Sequence, residues 1–268
     1  MNKLIPALSV FLLLASGCYE NRLGCLDPDA TNFDERADEN CPDGCCVYPV
    51  LSLDVARAWG DTTLASQEFL TDGEGNAFTL TRFRFYLSDL ELITEAGAIT
   101  AVREEEIGVI NGTDTTLTSI NANVVLVESS GSTTETVGTV QIGRAALTQV
   151  RGLYGTAEDF PDVFPPSAPA GSPLGLQQGL LNFNDGNGYL LGSLEYRLLA
   201  DTTDRRIDLR GNLPLELTFA EPLPPLRGFD LTVTLTADYR ALLGTVNLAA
   251  DSAAVVEAVR GRLPFFVR

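Results

Sequence analysis

Residues 81–94 read TRFRFYLSDLELIT, and their apolar pattern is the clearest indication of the fold in this chain. Two series of alternating apolar residues run through it: Phe83, Phe85 and Leu87, then Leu90 and Leu92. Each series has the side-chain period of two that is typical of a half-buried β-strand, but the second falls on the opposite parity. Both series can face one core only if the strand is irregular between them, because successive side chains point to opposite faces. The sequence therefore predicts a β-bulge or kink at Ser88–Asp89.

Strand patterns also dominate the rest of the chain from Val50 onward. VLSLDVARA, beginning at Val50, and FDLTVTLTA, beginning at Phe229, both alternate apolar with polar or small residues. Helical patterns are sparse: residues 251–261 predict one helix, residues 238–244 predict a turn of helix, and residues 144–155 are ambiguous. The Pro-rich residues 158–175 predict a long ordered loop or flap. We therefore predict a mainly β fold, a β-sandwich with one or two short helices.

The N-terminus, MNKLIPALSVFLLLASGC, has the pattern of an export signal. Lys3 precedes an apolar run from Leu4 to Ala15, which is too short to span a bilayer as a permanent helix. Small residues then lead to Cys18, which resembles a bacterial lipoprotein signal and implies cleavage before Cys18 and its acylation with diacylglycerol and an N-acyl chain such as palmitate. The alternative is an ordinary secretory signal with a chance cysteine. Because several acyl chains anchor more firmly than one, we expect a protein tethered outside the cytoplasm.

Composition narrows the classes of function. The chain contains no histidine, and its single lysine, Lys3, lies in the signal. Ser-His-Asp and Cys-His catalysis, imidazole metal ligands and lysine nucleophiles are therefore excluded from the mature protein. Paired-carboxylate chemistry stays formally open, but numerous acids mostly form solvated surface, and we expect that the protein is not an enzyme. The formal net charge of −18 argues against nucleic acid as a partner, because its phosphates would be repelled.

Residues 25–49, CLDPDATNFDERADENCPDGCCVYP, hold four of the five cysteines and little that could form a core. Four cysteines in an extracytoplasmic segment predict two disulfides. A bond between vicinal Cys45 and Cys46 would strain the peptide between them, so two pairings remain. They are Cys25–Cys46 with Cys41–Cys45, or Cys25–Cys45 with Cys41–Cys46. We divide the chain into a signal peptide at 1–17, a lipid-anchored, disulfide-stapled module at 18–49 and a body at 50–268.

The module also offers oxygen ligands for calcium, which takes about six to eight of them. Its acidic residues lack the regular spacing of calcium-binding repeats, so the simpler interpretation is a solvated acidic spacer. The candidate calcium ligands are Asp27, Asp29, Asn32, Asp34, Asp38 and Asp43.

The module resembles a short segment that occurs after signals or between domains in Bacteroidota surface proteins. Two groups of residues match it: Gly24, Cys25, Asp27, Pro28, Ala30, Asn32 and Phe33, then Asp43, Gly44, Cys46, Val47, Tyr48 and Pro49. The resemblance implies the Cys25–Cys46 pair and leaves Cys41 and Cys45 as an additional local bridge.

The body resembles the MbnP-like proteins, a copper-linked family of extracytoplasmic β-sandwiches. TRFRFYLSDLEL looks like the family signature [FR]-[FY]-Y-[LIV]-S-[ND]-[LIV]-x-[LI]. Three further segments follow in the family's order: LTQVRGLYG at 147–155, LNFNDGNGYLLGSLEY at 181–196 and TLTADYRALLGTVNLAAD at 234–251. The resemblance covers residues 50–268 and implies a sandwich fold.

The chain also departs from that family. Copper-binding relatives use histidine ligands, and some carry a tryptophan oxidised to kynurenine, whereas this chain has no histidine and a single tryptophan, Trp59. Since Cu(I) prefers thiolate, thioether or imidazole ligands, we expect no family-type copper site. We expect Trp59 to pack in the core or at its rim. The family's W-x-W is replaced around residues 182–184, and the polar residues 182–187 favour a hairpin turn over a polar pocket.

These observations favour a non-enzymatic outer-membrane or cell-surface lipoprotein that binds an unidentified ligand or protein partner. Its lipid on Cys18 would attach it to the membrane. The first alternative is a metal-handling protein, either copper-linked or calcium-binding. The second is a glycan-binding module, which rests on fold analogy alone.

Overall fold

The computed structural model of the protein describes residues 20–65, 68–128, 134–157, 160–177 and 188–267. The predicted signal peptide, the predicted acylation site Cys18 and the polar residues 182–187 lie outside these described residues.

The described residues form seventeen strands and two α-helices. The strands are β1 Leu23–Gly24, β2 Glu39–Asn40, β3 Val50–Trp59, β4 Thr62–Thr63, β5 Phe69–Thr71, β6 Ala77–Thr94, β7 Gly97–Thr100, β8 Glu104–Asn111, β9 Asp114–Asn121, β10 Val124–Glu128, β11 Thr134–Thr139, β12 Leu147–Tyr154, β13 Gly192–Leu198, β14 Arg205–Leu209, β15 Leu213–Leu223, β16 Leu231–Asp238 and β17 Phe265–Val267. The helices are α1 Tyr239–Leu243 and α2 Ser252–Val259. No helix in this part of the chain is long and apolar enough to cross a membrane.

Two sheets form the predicted β-sandwich. The larger, eight-stranded sheet has the order β14-β13-β6-β12-β15, and β10, β5 and β7 also pair with β6. The smaller, five-stranded sheet has the order β11-β3-β16-β17, with β4 on β3. Strand β3, at the start of the body, pairs in parallel with β16, near its end. The alternating apolar residues of both sheets meet in one core: Leu51, Leu53, Val55, Phe83, Phe85, Leu87, Leu90, Leu92, Leu231, Val233 and Leu235.

The predicted irregularity at Ser88–Asp89 is confirmed. The pairing of β12 with β6 shifts register there, and Asp89 has a positive φ of 51°. Asn123 fills the kink, because its side chain accepts a hydrogen bond from the Leu90 amide (3.0 Å) and donates one to the Leu90 carbonyl (2.9 Å). Both apolar series of β6 therefore face the same core. Gly152 lies against the kink so closely that an added Cβ would meet the Ser88 carbonyl oxygen at 2.8 Å.

The outer face of β6 is also buried, which the alternation did not predict. Tyr86 belongs to a second apolar cluster that includes Phe160, Val163 and Leu174 from the Pro-rich segment. That segment forms two short 3-10 helices, Phe160–Asp162 and Pro165–Ser167. It is the predicted ordered flap, and it covers the larger sheet.

The helix predictions are confirmed, and the ambiguous residues 144–155 contain strand β12. Asp251 caps α2 by accepting a hydrogen bond from the Ala254 amide (3.0 Å), and Gly261 follows the helix with a φ of 75°. Val255 and Val259 form the buried face of α2, whereas Ala254 is exposed. Ala254 lies in the first turn of the helix, ahead of the residues that pack against the core.

Candidate functional site

The N-terminal module has the disulfides Cys25–Cys46 and Cys41–Cys45, with Cα–Cα distances of 5.2 and 6.1 Å. This is the pairing implied by the resemblance to surface-protein modules. The module packs on the body, because Asp29 forms a salt bridge with Arg227. Ala30 is buried, and its carbonyl oxygen lies 2.9 Å from where a Cβ on Gly228 would sit. The module is therefore docked on the sandwich and is more than a solvated spacer.

Five of the six candidate calcium ligands are engaged in local hydrogen bonds and ion pairs, and the sixth, Asp43, is exposed. Asp27 accepts from the Asp29 amide (2.9 Å) and from the Tyr48 hydroxyl (3.0 Å), and the latter bond raises the pKa of Tyr48. The Asn32 side chain accepts a hydrogen bond from the Val47 amide (2.8 Å) and donates one to the Cys45 carbonyl (2.7 Å). The remaining contacts are Asp29 with Arg227, Asp34 with Arg22 (2.8 Å) and with the Arg36 amide (3.0 Å), and Asp38 with the Arg22 amide (3.0 Å).

These carboxylates do not converge on one point. Within the described ranges, a single group of three or more acidic or cysteine side chains has its ligand atoms within 4.8 Å of one another, and it consists of Cys41, Cys45 and Cys46. All three sulfurs of this group belong to disulfides. A soft metal would bind there only after reduction, because the thiolate is the ligand form of cysteine.

Trp59 packs where the sequence places it. It is half-buried at the end of β3, and its ring meets the buried Phe78 edge-to-face with centroids 5.8 Å apart. Its environment is the rim of the main core.

A cavity of about 330 Å³ lies between α2 and the edge of the larger sheet. Its floor and walls are mostly apolar, and the residues responsible are Leu191, Leu209, Leu213, Val256 and Val259. Leu209 and Leu213 border the short turn between β14 and β15, while α2 contributes Val256 and Val259 from one helical face. The Asp251 cap stabilises the start of helix α2, and the buried Val255 packs the helix against the core. The position of α2 therefore determines the shape of the cavity.

The solvent side of this cavity is basic. Arg210, Arg260 and Arg262 line it, together with Asp208. Asp208 already accepts a hydrogen bond from Arg206 Nε at 2.8 Å. A protein with a formal net charge of −18 thus places three arginines around one apolar opening.

Tyr154, at the wall of the cavity, has a fully buried hydroxyl that lacks a hydrogen-bond partner among the residues the structure describes. Burial raises the pKa of Tyr154, and electrostatic repulsion from Tyr239 adds to the shift. The Tyr239 hydroxyl is also buried and lacks a hydrogen-bond partner among the described residues. Buried polar groups in folded proteins are normally hydrogen-bonded, so two such hydroxyls in this part of the core are unusual.

A second, more open groove of about 600 Å³ lies along the Pro-rich segment. Glu128 and Glu135 face it, and burial followed by repulsion from Glu128 raises the pKa of Glu135. Its wall is formed mostly by proline and small residues of the segment 165–177. It lacks the apolar floor of the cavity beside α2.

Sequence reasoning did not find the cavity beside α2. Its residues come from four separate parts of the chain, and the sequence does not show that they meet. One local signal was available: RGR at 260–262 places two arginines directly after a helix in a chain with a strong acidic excess. That signal identifies a basic patch but not the apolar space next to it.

Comparison with known proteins identifies the family of the chain. A sequence model of the MbnP family matches residues 49–257. No curated protein matches the chain. Among solved structures, MbnP from Methylosinus trichosporium is similar at 13% identity, covering 76% of this chain and 80% of that chain with a TM-score of 0.46. Because the family model matches more than half of its length, the chain belongs to the MbnP family.

Proposed function

We propose that this protein is a lipid-anchored, extracytoplasmic binding protein without enzymatic activity, and that its ligand is a small molecule held in the cavity beside α2. The lipoprotein-type signal and Cys18 support the anchoring. The lack of histidine throughout and of lysine after residue 3 supports a binding role over catalysis.

The observation that carries the proposal is the mostly apolar cavity of about 330 Å³, whose lining includes Leu191, Leu209 and Val259 of the main core. Protein interiors are packed as densely as organic crystals, so an apolar space of this size normally costs stability. Ligand sites are concave and mostly apolar, with a few polar groups that orient the ligand, and they have volumes of about 300–1,000 Å³. The cavity has these features.

A neutral apolar probe tests the proposal. We expect 1-octanol to bind the mature chain with a stoichiometry of one in isothermal titration calorimetry, with a negative heat-capacity change from burial of apolar surface. Val256→Trp fills the cavity from a half-buried position on α2 and should abolish the binding. Ala253→Trp places the same side chain on the exposed side of α2 and should leave the binding intact. Equal binding by both variants, or none by the unmodified protein, would show that the cavity is not the site.

Metal handling is the second candidate function, and the cluster of Cys41, Cys45 and Cys46 is the observation that favours it. Reduction of the Cys41–Cys45 bond would supply two thiolates, which are soft ligands for Cu(I). The oxidised protein offers no such ligands at the cluster. Elemental analysis of the purified, dialysed protein distinguishes the two functions, because one copper per chain would favour metal handling over small-molecule binding.

A further inference from the structure

The charges around the cavity beside α2 indicate which class of small molecule it binds. Arg262 Nη1 donates to the Leu242 carbonyl (3.1 Å) and to the Thr245 hydroxyl (2.7 Å). Both acceptors are neutral, so these bonds fix the guanidinium in place without neutralising it. Arg262 is half-buried and lines the cavity, so a fixed positive charge lies next to it.

The neighbouring Arg260 adds to this charge. It forms an ion pair with Glu257 at 3.2 Å, and the two side chains are 68% and 71% exposed. Exposed pairs of this kind contribute little and exchange readily with solvent and ions. Asp208, the acidic residue of the lining, is paired with Arg206. The potential at the opening is therefore positive, whereas the protein as a whole is strongly negative.

Apart from the arginines and Asp208, the lining of the cavity is mostly apolar and includes the buried Tyr154. An inorganic anion would gain the arginine contacts but would leave this apolar space unfilled. A neutral apolar compound would fill the space but would not use the arginines. A molecule with one anionic end and an apolar body uses both parts of the site, and Arg recognises a carboxylate through two parallel hydrogen bonds.

We infer that the cavity binds a small amphiphilic anion, a carboxylate whose apolar body lies against Leu209, Leu213 and Val256 and whose charged group faces Arg262 and Arg260. This inference rests on the proposed function. The volume of about 330 Å³ lies near the lower end of the range of roughly 300–1,000 Å³ for ligand sites, which suits a medium-chain carboxylate and excludes a lipid with two acyl chains.

Octanoate and 1-octanol form a matched pair of probes, because they have the same chain length and differ in the charged group. We expect octanoate to bind about tenfold more tightly than octanol, since a charge-assisted pair with arginine adds to the same apolar burial. Raising the salt concentration should weaken octanoate binding and leave octanol binding unchanged. Arg262→Gln should reduce the preference to about twofold or less. Arg262→Lys retains the charge but cannot form two parallel hydrogen bonds, so it should give a preference between those of the wild type and Arg262→Gln.

Two further variants test whether the preference for octanoate depends on the arginines of the cavity. Arg197→Gln removes an exposed arginine that pairs with Asp204 away from the cavity, and it should preserve the tenfold preference. If Arg262→Gln does not fold, Arg260→Gln at an exposed position replaces it and should reduce the preference severalfold. Equal binding of the two probes would show that the ligand class is wrong and would leave the proposed function intact. Failure of both probes to bind would refute the proposed function itself.

Discussion

Asp72 ties two distant turns together, and its replacement gives a sharp test of the structure. The carboxylate is 5% exposed and lies at the start of the turn between β5 and β6. Its Oδ2 accepts from the Leu248 amide (2.8 Å) and from Asn76 Nδ2 (2.9 Å). Its Oδ1 accepts from the amides of Glu74 (2.9 Å) and Asn76 (2.8 Å). The bond to Leu248 joins this turn to the segment that leads into α2.

Asp72→Asn preserves the shape of the side chain but turns one of its two acceptors into a donor. In either orientation of the new amide, two of the four donors face an NH₂ group and lose their bonds. Hydrogen bonds to charged groups contribute about 1.5–3 kcal/mol each. The turn can relax in part, so we expect the free energy of unfolding to fall by about 3 kcal/mol, the lower end of the two-bond sum.

The pH dependence of this effect follows from the pKa of Asp72. Burial acts to raise that pKa, but the hydrogen bonds from Asn76, Leu248 and Glu74 outweigh it, and the pKa in the folded protein lies below its ordinary value of 3.8. The carboxylate therefore stabilises the fold fully above the unfolded pKa, and this contribution is lost as the pH falls through the folded pKa. The difference between the wild type and Asp72→Asn should stay constant from about pH 6 to 8 and shrink below about pH 4.

Urea unfolding followed by far-UV circular dichroism at pH 7 and at pH 3 measures both quantities. Asp61→Asn is the matched control. Because Asp61 is exposed, this replacement should change the free energy of unfolding by less than about 0.5 kcal/mol. A loss below about 1 kcal/mol for Asp72→Asn at pH 7 would show that the carboxylate does not hold the two turns together. A difference between the wild type and Asp72→Asn that persists undiminished at pH 3 would show that the ionised form is not what stabilises the fold.

Four further predictions concern other parts of the molecule. Tyr154→Phe removes an unpartnered buried hydroxyl, so thermal unfolding should show stability unchanged or raised by about 1 kcal/mol, and a clear loss would reveal a partner. Gly152→Ala forces a Cβ against the β6 kink and should cost about 1–3 kcal/mol in urea unfolding, whereas a neutral result would contradict the close approach. Cys18→Ser should move the protein from the membrane fraction to the soluble fraction in cell fractionation, and continued membrane retention would argue against acylation. Calcium in place of a chelator should leave the melting temperature unchanged, because most of the candidate ligands already have protein partners and their carboxylates do not converge, and a rise of several degrees would establish a calcium site.

The fold was predictable from the sequence where local pattern decides the structure. The parity change in residues 81–94 required a kink at Ser88–Asp89, and the caps and periodicity of residues 251–261 required a helix. What holds the kink was not predictable, because Asn123 lies 33 residues from Leu90 and its buried side chain has no distinctive local pattern. Burial of the outer face of β6 was not predictable for a similar reason, since the sequence of a Pro-rich segment indicates a loop but not whether that loop covers a sheet.

The docking of the module and the cavity beside α2 were also not predictable, because both depend on contacts between residues far apart in the sequence. Composition predicted two disulfides, and resemblance to a surface module implied their pairing, but docking on the body depends on the Asp29–Arg227 pair between residues 198 positions apart. The residues of the cavity beside α2 are ordinary strand and helix residues in sequence. They form a site only because α2 packs across the turn between β14 and β15.

A crystal structure of the mature chain with octanoate is the most direct test of ligand binding in the cavity. We expect one octanoate in the cavity beside α2, with its carboxylate hydrogen-bonded to Arg262 and its chain against Leu209 and Val256. Octanoate bound only elsewhere, or an empty cavity at a saturating concentration of octanoate, would contradict both the site and the ligand class.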